Sequence, residues 1–176
     1  GNELRWEYYF YDYKRRERDL SATRLLDVIR PFAPCVLRVN ERYHYFMFSL
    51  DIDDALLAGE RELDEVHLYI GNPGSTVSSG ICYSQTRGGM RLENFYFFFD
   101  AKTQAEDIMS KAACSAFFDA AVVPIERIIR PELRNCPVIV VANKQENDAV
   151  YFSGVTVDQL LVFLTALRYP ADLVAF

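Results

Sequence analysis

Two segments of the chain share one pattern, an amphipathic stretch followed by a proline and then an apolar stretch. The first runs from Leu25 through Pro34 to Val39, and the second runs from Leu160 through Pro170 to Phe176. Each segment predicts a helix, a turn and a strand. A helix and a strand in that order cannot bury their apolar faces alone, so the repetition favours stacked β/α units that cover one another. We therefore expect an α/β fold, with Leu26 and Leu161 on the buried faces of the two helices.

The predicted strands recur at intervals that suit such units. They begin near positions 36, 66, 95, 138 and 172, and one longer interval leaves room for an insertion. Residues 92–100 follow the template L-x-x-L-x-L-x-x-N/C with aromatic substitutions, and Leu63-x-x-Val66-x-Leu68 follows its first half. Over residues 21–176 the chain thus resembles a divergent leucine-rich-repeat array of the F-box-associated type. The resemblance implies an irregular β/α array with a parallel or mixed sheet, and an α+β fold with a mixed sheet is the alternative.

Local signals place the ends of several elements. Ser21 is suited to cap the first helix, and Thr103-x-x-Glu106 and Thr156-x-x-Gln159 both match the capping-box pattern at a helix start. The apolar run 138–142 predicts a buried strand. The glycine- and serine-rich stretch 71–89 predicts one long exposed loop.

Composition narrows the class of protein. With 176 residues, 51% of them apolar, the chain is large enough for one domain with a real core, so we expect a single domain over 1–176. The formal charge of −6 gives no global attraction to nucleic acid. No apolar run reaches the roughly 20 residues that cross a bilayer, so no membrane association is expected. Gly1 is typical of a cleaved tag and Phe176 ends an apolar segment, which favours a piece of a larger protein.

The cysteines do not form a metal motif. Cys35, Cys82, Cys114 and Cys136 share no C-x-x-C spacing, and three of them lie in apolar stretches. We predict no metal, no cofactor and a reduced intracellular protein, cytoplasmic or nuclear, although two disulfides remain an alternative.

Three motifs have a functional and a structural interpretation. The strand 138–142 followed by Asn143-Lys144 resembles the guanine-recognition strand of GTPases, but the chain contains no phosphate-binding G-x-x-x-x-G-K-[ST] loop. The glycine-rich stretch 71–80 lacks the lysine of such a loop. The acidic run Asp51-x-Asp53-Asp54 lacks the later ligands and the glycine of a calcium loop, so helix capping explains it better.

Catalysis is not indicated either. The most plausible centre would pair Cys82 with His67, but a cysteine without a neighbouring base is a weak nucleophile. We therefore predict no catalytic residue and no enzyme.

The sequence instead favours a non-enzymatic protein–protein interaction module, or adaptor, that recruits another protein. Exposed tyrosines and arginines are the usual anchors of such surfaces. The predicted partner-binding residues are Tyr83, Arg87 and Arg91 around the long loop, and Tyr8 and Tyr11 in the first strand.

The alternative is a domain that binds single-stranded nucleic acid or a small ligand through the aromatic and basic segment 8–18. Aromatic side chains stack on bases, and cations neutralise phosphates. The basic residues of this alternative are Lys14, Arg15, Arg16 and Arg18.

Overall fold

A computed structural model describes residues 5–11, 21–72, 77–119 and 121–175. The chain forms two compact units: unit 1 comprises residues 1–74 and 80–94, and unit 2 comprises residues 75–79 and 95–176. Seven strands are hydrogen-bonded in the order of the sequence, β1-β2-β3-β4-β5-β6-β7. Their bounds are β1 Trp6–Tyr11, β2 Tyr45–Ile52, β3 Glu65–Gly71, β4 Ser79–Thr86, β5 Gly89–Asp100, β6 Val138–Asn143 and β7 Asp148–Ser153.

Unit 1 packs helix α1, Ala22–Ile29, against one face of its strands. The hydroxyl of Ser21 accepts a hydrogen bond from the amide of Arg24 (3.1 Å), which satisfies an amide that the first helical turn leaves unpaired. Leu26 is 1% exposed and joins the core that the strands supply through Phe48 and Leu68. A short helix α2, Asp54–Leu57, follows β2.

Unit 2 contains helices α3, Ala105–Ala113, α4, Val157–Ala166, and α5, Ala171–Ala175, together with a 3₁₀ turn at Ile125–Arg127. Its core gathers buried side chains of β5, α3 and β6 with Cys136; these are Phe99, Ile108, Cys136, Ile139 and Val141.

The predicted β/α array, with its parallel or mixed sheet, is wrong. The ladders β1–β2, β2–β3, β3–β4, β5–β6 and β6–β7 are all antiparallel, and each joins strands that are consecutive in the sequence. Antiparallel neighbours need only a short connection, whereas parallel neighbours need a crossover. Between β4 and β5 only Arg87 and Gly88 intervene. The mixed sheet of the α+β alternative is likewise not seen in these ladders.

Two predicted strands and one predicted loop are also corrected. Residues 36–39 are not in a strand, and only Cys35 makes an isolated parallel bridge, to Leu63. The segment predicted as a strand at the C-terminal end is the helix α5. The stretch 71–89, predicted as a loop, instead contains β4, in which Ile81 and Tyr83 lie on one face and the buried Cys82 and Ser84 on the other.

The two predicted capping boxes have different outcomes. At Thr156 the box is confirmed, since its hydroxyl accepts from the amide of Gln159 and the Gln159 side chain accepts from the amide of Thr156. At Thr103 it is wrong, because α3 begins one residue later than the pattern requires and its N-cap, Gln104, makes no side-chain capping bond.

Helix α4 is unusual in burying none of its residues completely. Although mostly apolar, it exposes large side chains on more than one side: Val157 73%, Leu160 42%, Leu161 39% and Val162 56%. The assignment of Leu161 to a buried face is therefore wrong, whereas that of Leu26 is confirmed.

Candidate functional site

Polar side chains gather on the face of the unit 1 strands that lies opposite the core. Successive side chains of a strand point to opposite faces. Phe48 and Leu50 of β2 and Val66 and Leu68 of β3 face the core, so the residues that alternate with them lie on the opposite face. The register places Glu7 beside Asp51, and it sets Ser49, His67 and Ser84 side by side across β2, β3 and β4. We call this set the polar face; its members are Glu7, Tyr9, Ser49, Asp51, Glu65, His67, Tyr69 and Ser84.

Three hydroxyl groups converge on the carboxylate of Glu7. Its Oε1 accepts from the Ser49 hydroxyl at 2.8 Å and from the Tyr69 hydroxyl at 3.3 Å, and its Oε2 accepts from the Tyr9 hydroxyl at 2.5 Å. Ser49 and Tyr69 also lie within hydrogen-bond distance of each other, at 3.2 Å. The network fixes the position of the Glu7 carboxylate on the polar face.

A second carboxylate, Glu65, is held on the next strands. Its Oε1 accepts a hydrogen bond from the buried hydroxyl of Ser84 and lies 3.8 Å from Nε2 of His67. The His67 side chain is 21% exposed, and its Nδ1 is buried without a hydrogen-bond partner in the described part of the chain. Neither Ser49 nor Ser84, the cross-strand neighbours of His67, forms a hydrogen bond with this Nδ1 atom.

An acidic cleft of about 200 Å³ opens at this end of the polar face. Its polar lining comprises Arg5, Asp51, Arg61, Asp64, Glu65 and His67. Both arginines are directed to Asp53: the Arg61 guanidinium donates to it at 2.8–3.1 Å, and Nε of Arg5 lies 3.9 Å away. Together with Asp53, the carboxylates of Asp51, Asp64 and Glu65 outnumber the two guanidinium groups, which gives the cleft its negative character.

The pKa values of two neighbouring aspartates move in opposite directions. Burial raises the pKa of the Asp51 carboxyl, the charge of Glu7 raises it further, and His67 and Arg5 act against this. Hydrogen bonds from Arg61 lower the pKa of the Asp53 carboxyl, and the amide of Leu56 adds to the effect. Asp53 is also the N-cap of α2, so capping is confirmed as a role of this acidic run.

The arrangement does not resemble a nucleophile with its base. A catalytic serine donates its proton to histidine, but here Ser49 donates to Glu7 and Ser84 donates to Glu65. Cys82 is completely buried and pairs across the ladder with Tyr69, whereas His67 pairs with Ser84. Among the described residues, no three His, Cys, Asp or Glu side chains are placed to hold a metal ion.

Strand β1 adds exposed aromatic side chains beside the polar face. Trp6, Tyr8, Tyr9 and Tyr11 are 51, 47, 41 and 49% exposed, and β1 is at one end of the strand order. Glu7, Tyr9 and Tyr11 are every second residue of β1, so their side chains share one face of the strand. Tyr8 pairs with Leu50, and its side chain lies on the other face. The ring of Tyr9 lies 6.1 Å from that of Tyr69.

The structure places the predicted anchor residues on β1, on β4, in the turn after β4 and on β5. Tyr83 lies opposite Leu68 in the β3–β4 ladder and is half-buried. Arg87, in the turn after β4, pairs with Glu62, while Arg91 of β5 pairs with Glu93 at 2.6 Å. The exposed loop that was to carry them is mostly strand. Lys14, Arg15, Arg16 and Arg18 lie outside the described residues.

Most residues of the polar face were not predicted from the sequence. Alternation in β2 was the available clue, because Ser49 and Asp51 interrupt a run that is otherwise apolar. Glu7 and Ser49 are 42 residues apart, so no local motif could join them.

Comparison with known proteins does not extend this description. No protein-family model, curated protein or solved structure matches the chain. Among the described residues, every helix is too short or too polar to span a bilayer.

Proposed function

We propose that the chain is a non-enzymatic protein-interaction module, and that unit 1 binds a basic segment of a partner protein on the polar face. The observation that carries this proposal is the acidic cleft bounded by Asp51, Asp64 and Glu65, where these carboxylates and the adjacent Asp53 outnumber the two arginines. A lysine or arginine side chain of the partner complements that charge.

The exposed aromatic side chains of β1 support the same class of ligand. A cation is attracted to the face of a tyrosine ring, and tyrosine supplies large contact area with few rotatable bonds. Tyr9 and Tyr11 share the face that carries Glu7, so a peptide lying there can contact rings and carboxylates together.

The chemistry of the cleft favours a protein cation over the other ligand classes. Phosphate groups would be repelled by the carboxylates of the polar face. The serine hydroxyls are directed to carboxylates and not to His67, which supports a binding role over catalysis. The four free cysteines, three of them buried, support an intracellular location where thiols stay reduced.

The proposal is tested with short fluorescent peptides that carry one arginine or lysine among apolar residues. Matched peptides replace arginine by citrulline and lysine by norleucine, which removes the charged group at nearly constant side-chain length. We expect saturable binding of the cationic peptides in fluorescence anisotropy, and about tenfold weaker binding of the neutral ones.

Charge-neutral variants locate the surface. Asp51→Asn and Glu65→Gln should each lower the affinity for the cationic peptides about tenfold. Glu60→Gln is the matched control, because Glu60 is exposed in unit 1 and does not line the cleft. Equal binding of charged and neutral peptides would refute the proposal. So would tight, steeply salt-dependent binding of single-stranded RNA with no binding of peptide, which would favour the nucleic-acid alternative.

A further inference from the structure

Unit 2 contains a cleft of about 610 Å³, which lies within the size range of small-molecule sites. Its floor is apolar: Ile108 of α3 and Ile139 of β6 are each 2% exposed. Met109 of α3 lies along the cleft, and Ile125 and Ile129 line it from the 3₁₀ turn and the residues after it. These aliphatic side chains offer a surface to an apolar chain.

Two cationic side chains also line the cleft. Lys102 follows β5, and Arg134 precedes β6. The amide of Ala101 donates to the carbonyl of Pro137 at 3.1 Å, which holds the turn after β5 against the segment that carries Arg134. Within the described residues neither Lys102 nor Arg134 forms an ion pair with a carboxylate. Hydrogen bonds from Thr103 lower the pKa of the Asp100 carboxyl, however, and the charge of Lys102 is near enough to lower it further. Asn135 adds an amide to the lining.

One carboxylate also lines the cleft. Glu126 belongs to the 3₁₀ turn, with the aliphatic side chains of Ile125 and Ile129 on either side of it in the sequence. An anionic group is repelled there and attracted to Lys102 and Arg134. The ligand that fits has one anionic end and an apolar body.

We propose that this cleft binds a small amphipathic carboxylate, whose chain lies on Ile108, Met109 and Ile129 and whose carboxylate meets Lys102 and Arg134. The guanidinium of Arg134 matches a carboxylate through two parallel hydrogen bonds, which an ammonium cannot provide. The site is separate from the polar face and does not depend on the proposed function of unit 1.

The probe is octanoate, with octylamine and 1-octanol as controls of equal chain length. Calorimetric titration should show saturable binding of octanoate, and binding at least about tenfold weaker for the cation and the alcohol. In the amide NMR spectrum, octanoate should shift the resonances of residues 105–109 and 125–129 before others. Binding of octylamine as tight as that of octanoate, or shifts confined to other residues, would overturn the proposal.

Three variants complete the experiment, each checked for folding by circular dichroism. Arg134→Gln should lower the affinity for octanoate about tenfold. Arg127→Gln should leave it unchanged, since Arg127 lies on the same 3₁₀ turn but outside the cleft. Ala105→Phe, at an exposed position on the lining, should block the cleft without disturbing the core. Equal affinities of Arg134→Gln and Arg127→Gln, or undiminished binding by Ala105→Phe, would each contradict the site.

Discussion

Replacing Leu26 by alanine tests the core of unit 1 most directly. The side chain is 1% exposed and packs among buried residues of α1, β2 and β3. Removing three carbon atoms from such a site costs about 0.8 kcal/mol for each in transfer free energy, and the cavity that remains adds to this. We expect Leu26→Ala to lower the free energy of unfolding by about 3–4 kcal/mol. Urea denaturation measures it, followed by circular dichroism and by the fluorescence of Trp6, the single tryptophan, which lies in unit 1.

The matched control is Leu161→Ala in α4. It deletes the same atoms from a side chain that is 39% exposed, on a helix with no buried residue. The free energy of unfolding should therefore fall by only about 1 kcal/mol. The reasoning is refuted if the two variants lose the same free energy of unfolding. Equal losses would mean that the burial of the two helices has been assigned incorrectly.

Three further outcomes are expected. Asp51→Asn should stabilise the protein at neutral pH, because the raised pKa of Asp51 makes its ionisation costly in the folded state, and in thermal melts this difference should shrink as the pH falls toward 3.8. Asp53→Asn should destabilise the protein, because the lowered pKa of Asp53 makes its ionisation favourable, and this difference should shrink only as the pH falls below 3.8. Cys114, the exposed cysteine, should react with a thiol reagent in the folded protein well before the three buried ones, and simultaneous reaction of all four would contradict this. Gly154→Ala should lower the free energy of unfolding by about 1–3 kcal/mol, because φ is +75° at this residue and a Cβ would lie 2.8 Å from Cγ of Pro137. Gly88→Ala is the control and should lower it much less, since the nearest atom to its Cβ would be 3.6 Å away.

Local signals predicted local structure well. Ser21 and Thr156 cap their helices as expected, because a cap depends on residues within one turn. The strand at 138–142 followed from its apolar run alone. The pairing of strands was not predictable in this way, since an apolar run does not indicate whether its neighbour is parallel or antiparallel. The segment around Cys82 and Ser84 was not recognised as a strand, because its glycines and serines are typical of a loop and its two fully buried side chains are small.

The apolar pattern around Leu161 also led to a wrong prediction, that this side chain is buried. An apolar stretch indicates burial only if something covers it, and no residue of α4 is fully buried. The polar face could be predicted only in part: the run of aspartates was recognised and its capping role was correct. Its other members meet across strands, and Tyr69 reaches Glu7 over 62 residues.

The exposure of α4 has a consequence for the motions of unit 2. A ten-residue helix is marginal in water by its own hydrogen bonds, and most helices persist because a packed face holds them. Here the capping box at Thr156 and partial contacts of Phe163 and Leu164 are what restrains the helix. Its amides should therefore exchange with solvent deuterium through local openings, earlier than those of β6, whose residues 139–142 are all buried. Helix α4 is then the region where unit 2 begins to fluctuate, while its strands remain closed.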